Sequence, residues 1–241
     1  MINVLVPCMG KSVFYKDSFF PKMLYEVNGE TLLEAVVHNY SSLNNHKMIF
    51  VFGDEECKKF HLDDSARILT GPNGKAIVLK HETKGALCTC LMAYPEIDNE
   101  DALIICNSDQ VIDIDFNEVI TYFESRNADA GVIIFDSIHP RWSYARIVDD
   151  FSVVELAEKR PLSNHAIAGF YYFRHGKDFL ASATQAILKE NNTDGIYYIS
   201  ASLNELILMN KSVVAYQIDK RRYHSFYAPE KIKDYEKELQ R

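Results

Sequence analysis

Apolar residues come in short, continuous runs along the first half of the chain: Asn3–Pro7, Lys47–Phe52, Ala76–Leu79, Ala102–Cys106 and Gly131–Phe135. The runs are rich in Val and Ile and do not alternate with polar residues. That pattern predicts strands buried on both faces, as in a parallel sheet. Between them the apolar positions recur at helical spacing. Leu32, Leu33, Val36, Val37 and Tyr40 share one face of a helix over Thr31–Tyr40, and Gly85–Tyr94 and Asp115–Ser125 repeat the scheme. Past residue 137 the texture changes. Shorter, more aromatic strands over Tyr144–Val148, Val153–Ala157 and Ala166–Phe173 read as antiparallel. Helices near Lys177–Lys189 and Tyr198–Met209, a strand over Ser212–Ile218 and an amphipathic helix after Pro229 follow. With no repeat and no low-complexity linker, the pattern predicts one α/β domain over residues 1–241. Its residues 1–136 form a nucleotide-type parallel sheet, and 137–241 an acceptor-binding part.

Composition narrows the function classes. The chain carries 26 Lys+Arg against 34 Asp+Glu, a formal charge of −8, so broad nucleic-acid binding is excluded and any phosphate site is local. No apolar stretch reaches the length of about 20 residues that a membrane span requires. No charged leader with a long apolar segment opens the chain, so the expectation is a cytoplasmic protein with reduced thiols. The five cysteines are odd in number, and Cys88 and Cys90 lack a second Cys or His pair at zinc spacing, which reads as packed thiols.

Three stretches carry candidate chemistry. In "LIICNSDQ", residues 103–110, an apolar strand ends in a polar cluster, so Asp109 stands at the carboxyl end of a central strand, the usual ligand crevice of an open α/β sheet. A carboxylate there can hold Mg²⁺, which keeps several waters and takes its other oxygens from phosphates; the alternative is a cap on the following turn. The opening loop, "MGKSVFYKDSFFPK", has Gly10 for close backbone approach to a phosphate and Lys11 and Lys22 as point charges, although it is no P-loop. In "VVELAEKRP", residues 153–161, Lys159 at a strand end can neutralise transferring phosphate, or can form an exposed salt bridge with Glu158.

Taken in order, these and further segments resemble the sugar-phosphate nucleotidyltransferases, the NDP-sugar-pyrophosphorylase-like enzymes of bacterial surface-polysaccharide synthesis. The matching pieces are "LVPCMGKS", "FPKMLYEVNGETLLEAVV", "TKGALCTC", "ALIICNSDQ", Glu158-Lys159-Arg160-Pro161, "AIAGFYYF" and "RRYHSFYAPEKIKDYEKEL". The resemblance implies a Rossmann-like mixed sheet flanked by helices, of the nucleotide-diphospho-sugar transferase, GT-A-like class. It implies an NTP, a small phosphorylated acceptor and Mg²⁺, with pyrophosphate released and a homo-oligomer possible. Carried over by position, Lys22, Asp109 and Lys159 are the catalytic set, and Asp109 the metal ligand. Pro7, Gly10, Lys11, Ser12, Lys22, Gly85, Ala86, Asn107 and Asp109 face the nucleotide. Gln110, Arg141, Tyr144, Glu158, Lys159, Gly169 and Asn204 face the acceptor. For Arg141 a structural stack on an aromatic ring is the other reading.

Two departures from the family pattern stand out. The opening loop lacks the second glycine and the arginine of "G-x-G-[TS]-R", and Ser225 occupies the place of a second metal-binding Asp. A sugar phosphate is the default acceptor, with a phosphorylated amine or amino acid and CTP as a variant. A glycosyltransferase with residues 107–109 standing for "D-x-D", and a silent nucleotide-binding module, remain alternatives.

Overall fold

Val4, Leu5 and Val6 are all fully buried although successive side chains of a strand point to opposite faces, so this strand has a core on each side. It is β1, Ile2–Pro7, with β4 (His46–Gly53) and β6 (Ala102–Cys106) parallel to it on its two edges. Val4, Val6, Phe50, Phe52 and Ile104 join one cluster, and Leu5, Ile49, Val51, Leu103 and Ile105 the other. The computed structural model describes residues 1–10, 14–15 and 18–239. Among these residues nine strands form one mixed sheet, and no helix is long and apolar enough to cross a membrane.

The sheet runs β10-β9-β11-β6-β1-β4-β5, with β8 beside β11 and β12 beside β8. Here β5 is Lys75–Leu79, β8 Ala130–Asp136, β9 Ser143–Ile147, β10 Val153–Glu158, β11 His165–Phe173 and β12 Val213–Gln217. Two short ribbons, β2 (Glu26–Val27) with β3 (Glu30–Thr31) and β7 (Gln110–Ile112) with β13 (Tyr223–Ser225), lie outside it. Helices α1 (Leu32–Asn39), α2 (Asp54–Phe60), α3 (Leu62–Thr70) and α6 (Phe116–Ser125) pack on one face. On the other lie α4 (Ala86–Leu91), α5 (Tyr94–Ile97), α7 (Gly176–Leu188) and α8 (Ile199–Leu208). The chain closes on α9, Pro229–Leu239.

Local chemistry sets several of these boundaries. The α1 start is a capping box: the Thr31 hydroxyl accepts from the Glu34 N–H, and the Glu34 carboxylate accepts from the Thr31 N–H. At α6, Asp115 accepts from the Asn117 N–H. The predicted helix over Gly85–Tyr94 is divided into α4 and α5 by turns at Met92 and Ala93. Helices α2 and α3 escape the periodicity because their surfaces are highly charged; Cys57, Leu62 and Ala66 are their buried residues.

One expectation changes. β8 belongs to the run of strands read as parallel, yet it is antiparallel to β11 and parallel to β12. Ala130 to Phe135 are buried throughout, and burial on both faces gives the same continuous run whichever way a strand points.

β11 is the strand that joins the two halves. Its carboxyl half pairs with β6, its amino half meets β9 at Ala166, and its other edge carries β8. The β8 register shifts between Ile167 and Tyr171, and Gly169 lies in that gap with φ +58°. A Cβ at Gly169 would stand 2.2 Å from Asn107 Nδ2 and 2.4 Å from Gln110 Oε1. Gly169→Ala is therefore expected to lower the unfolding free energy by about 2–4 kcal/mol, from the left-handed backbone and the overpacking together. Urea denaturation measures it; an unchanged midpoint would contradict this packing.

Candidate active site at the carboxyl ends of the central strands

The loops leaving β1 and β6 meet. After β1, the Cys8 N–H still donates to Val51 O at 2.8 Å, extending the ladder to β4 before the opening loop departs. That loop returns at Pro21, whose φ of −64° leads into a single 3₁₀ turn over Lys22–Leu24, anchored by the buried Met23. The turn aims Lys22 at the β6–β7 loop, where Nζ donates to Asp109 Oδ2 at 3.0 Å. Both side chains are mostly shielded, 15% and 19% exposed, so the attraction is less screened than at an open surface. Asp109 thus gives its carboxylate to Lys22, not to a cap on its own turn.

The same loop is held from behind by Gly169, whose carbonyl accepts from the Asn107 N–H at 3.0 Å and from Gln110 Nε2 at 2.9 Å. The Phe226 N–H donates to the Asp109 carbonyl at 2.7 Å, and Ser225 pairs with Gln110 across the β7–β13 ribbon. Ser225, at the position expected for a second acid, is therefore one residue away from Asp109 in register. Gln110, expected at the acceptor, is buried instead, its Oε1 accepting from the Tyr223 hydroxyl at 3.3 Å. It is a tie of the fold.

The other expected nucleotide residues fall into three groups. Pro7 closes β1 opposite Val51, and Gly10 is exposed with open space where a Cβ would stand. Lys11 and Ser12, and with them the question of what replaces the family's arginine, lie outside the described residues. Gly85 precedes α4 with φ +111°, and Ala86 is the first residue of that helix. The side of Gly85 that a Cβ would occupy is filled by the Tyr197 backbone, 2.4 Å from its carbonyl, which also accepts from the Leu87 N–H. The glycine there is demanded by contact within the chain.

On the opposite side β10 ends at Glu158. Its Oε2 accepts from Ser143 Oγ at 2.5 Å and Ser200 Oγ at 3.2 Å. Burial raises the Glu158 pKa above the usual carboxylate value, and the two hydroxyls only partly oppose that. Lys159 has φ +53°, its N–H donates to Trp142 O, and its Nζ donates to the Tyr198 hydroxyl at 2.6 Å. The two residues therefore point to different partners, which excludes an ordinary surface pair. A cavity of about 320 Å³ opens beside them, lined by Glu158, Asn191, Thr193, Tyr198 and Ser200 among others. Between the two sides lie Tyr223 and Tyr171, whose phenols are pushed up by burial first, then by Asp109 and Glu158 respectively.

Three other residues expected at the acceptor serve the fold. Tyr144 is fully buried and its hydroxyl donates to His139 O at 2.6 Å. Asn204 spans Leu156, accepting from its N–H and donating to its carbonyl, and so clamps α8 to β10. Arg141 lies 3.7 Å from the Tyr227 ring centroid, the aromatic stack that was its alternative reading. Conversely, Ser143, Ser200 and Tyr198 were missed. Single hydroxyls carry no motif; the β9–β10 register, which sets Ser143 opposite Glu158, discloses the first, and the packing of the start of α8 on the end of β10 discloses the other two.

The chain is similar to known proteins in both sequence and fold. The chain is 25% identical over 227 residues to the bifunctional protein GlmU of Listeria welshimeri and to that of Listeria monocytogenes serotype 4a. Each match covers 89% of this chain and 47% of the relative, so the chain spans about half the length of these proteins. Among solved structures, the nucleoside-diphosphate-sugar pyrophosphorylase from Vibrio cholerae RC9 superposes with a TM-score of 0.83 at 21% identity, covering 98% of this chain and 99% of that one. A putative glucose-1-phosphate thymidylyltransferase from Bacillus anthracis gives 0.77 at 14% identity, over 100% and 96%. These likenesses establish the mixed-sheet nucleotidyltransferase fold. A family model described as nucleotidyl transferase matches residues 17–218, and with that match over most of its length the chain belongs to the nucleotidyl transferase family.

Proposed function

We propose that the protein joins the nucleotidyl group of an NTP to the phosphate of a sugar phosphate. An acceptor phosphate oxygen attacks the α-phosphorus, the α–β phosphoanhydride bond breaks, and pyrophosphate leaves with the electron pair. The observation that carries this reading is the Lys22–Asp109 pair at the carboxyl ends of β1 and β6, a shielded cation and anion brought together from 87 residues apart. The names of the structural neighbours, pyrophosphorylases and a thymidylyltransferase, support a sugar phosphate as acceptor. CTP as the nucleotide and surface-polysaccharide precursors as the product class are the finer form of the proposal.

Among the described residues no three His, Cys, Asp or Glu side chains gather into a metal cage. One carboxylate at a strand's carboxyl end suits a cation that keeps waters and takes phosphate oxygens, so the donor present fits Mg²⁺ held by Asp109. When bound, that ion would offset charge on the phosphates. Lys22, already oriented by Pro21 and its turn, supplies the positive charge that tracks the phosphate as its charge redistributes. On the acceptor side, Lys159 and the Tyr198 hydroxyl offer two donors to a phosphate, and Glu158, braced by two serines, accepts from a sugar hydroxyl. The protein's contribution is position and electrostatics, with no covalent nucleophile. A glycosyltransferase using residues 107–109 would call for a second acid at Asn107, whose amide instead crowds Gly169.

The deciding experiment is a pyrophosphate-release screen of four NTPs with Mg²⁺ against phosphorylated sugars, polyols and amines. At least one pair is expected to turn over, and Asp109→Asn to reduce that rate by at least ~100-fold. Pyrophosphate from no pair, together with nucleoside diphosphate released from a nucleotide-sugar, would reverse the reading.

Lys22→Ala is expected to lower kcat about 100-fold while KM for the NTP changes by less than about five-fold, the signature of an interaction strongest in the transition state. Steady-state kinetics checks it, and full retention of kcat would remove the main support for this function.

Glu158→Gln separates stability from recognition. The Glu158 pKa is raised on folding, so between its ordinary value of 4.5 and its folded value the native state holds more protons than the unfolded chain. Stability therefore falls as pH rises through that window, and the whole deficit is present above it. The Gln variant should be at least as stable as the wild type at pH 7 and show a flatter dependence from pH 4.5 upward, while KM for the acceptor rises about ten-fold or more. Urea midpoints across that range, with acceptor titrations, test both.

A further inference from the structure

Tyr15 differs from the other aromatics of the opening loop. Phe19 and Phe20 are 69% and 54% exposed, whereas Tyr15 is 7% exposed. Its ring meets Tyr25 edge-on, with centroids 4.6 Å apart, and the Tyr25 N–H donates to Lys22 O at 3.1 Å, closing the turn that aims Lys22. Its hydroxyl donates to the Phe226 carbonyl at 2.8 Å. On its other side the Phe226 N–H donates to the carbonyl of Asp109 at 2.7 Å. Tyr15 therefore reaches both members of the Lys22–Asp109 pair without touching either charge: Lys22 through a ring, Asp109 through one residue's backbone.

We infer that Tyr15 is the positioning residue that holds the Lys22 turn and the Asp109–Ser225 edge in register, an assignment that rests on the nucleotidyl-transfer reading above. The physical case is one of connectivity. Lys22 and Asp109 sit on separate loops, and a single 3.0 Å ion pair is an adjustable contact, because an ammonium donates in any of three directions. Arriving phosphates compete for both partners. Once the pair opens to take a substrate, its own attraction no longer sets the spacing of the two groups. The Tyr15 link persists, since it uses an edge-on ring contact and a hydroxyl and carbonyl that are shielded from solvent, Tyr15 and Phe226 both being buried. It also bears on Ser225, which directly precedes the residue whose carbonyl Tyr15 holds.

Tyr15→Phe keeps the ring on Tyr25 and removes only the hydroxyl, leaving the Phe226 carbonyl without its donor. The expected result is a kcat about ten-fold lower, KM values for both substrates within about two-fold, and a melting temperature within a few degrees of wild type. Hydrogen–deuterium exchange of the substrate-free protein gives a second readout, independent of turnover. Exchange in a peptide spanning residues 223–228 should be at least about five-fold faster, with β1 and β4 unchanged. Unchanged exchange in that peptide overturns the link. Faster exchange with unaltered kcat overturns its part in turnover, as does an equal loss confined to KM. If Tyr15→Phe does not fold, Tyr25→Leu, which removes the ring contact and keeps the hydroxyl, must still lower kcat more than it raises KM, or the inference fails. A wild-type protein that turns over no NTP and sugar phosphate refutes the nucleotidyl-transfer reading itself, a failure distinct from these.

Discussion

The carbonyl of Gly169 is the point on which the site is hung. It receives two donors from the loop after β6, the Asn107 N–H and the Gln110 amide, and so fixes the turn between them on which Asp109 stands. The contact requires a strand that bends where a neighbouring loop approaches within van der Waals distance, and a residue with no Cβ at φ +58° provides both. Moving that carbonyl would move Asp109, the register of Ser225 against Gln110 and the donor that Tyr223 offers to Gln110.

β11 also decides which side chains share a site. Because it runs antiparallel between β6 and β8 and passes to β9 past its bend, it brings the carboxyl end of β6 and the far end of the β9–β10 hairpin to one edge. Asp109 and Glu158 belong to opposite ends of that edge, with Tyr223 and Tyr171 between them. Each acidic group is met by a different chemistry. Asp109 faces a cation, and Glu158 faces hydroxyls. Glu158, desolvated among alcohols, binds a proton more readily than an exposed carboxylate. The two ends are accordingly suited to different parts of a substrate, one charged and one hydroxylated.

Much of the fold was legible in the chain. Every long strand and helix that apolar runs and helical spacing predicted is present with boundaries shifted by a residue or so, apart from the helix over Gly85–Tyr94, which is divided. The reason is that burial on two faces, and the stripe of a helix, are local demands on the sequence. The placement of Asp109 at a strand's carboxyl end followed from the same pattern. Strand direction did not, since β8 is buried alike in either sense, and the charged α2 and α3 left too few apolar positions to register.

The sequence by itself determined the class of the sheet, the loops that meet at its carboxyl edge and the residue types available there. Which of those residues remain available for a ligand was decided only by tertiary structure. Gln110, Tyr144 and Asn204 have side chains as suitable for binding as those of Ser143, Ser200 and Tyr198, yet the first three are drawn into backbone contacts and the last three border Glu158 and Lys159. A polar side chain binds whichever partner lies within about 3 Å. For Lys22 and Tyr15 those partners stand 87 and 211 residues away, so no window on the sequence contains both halves of the contact.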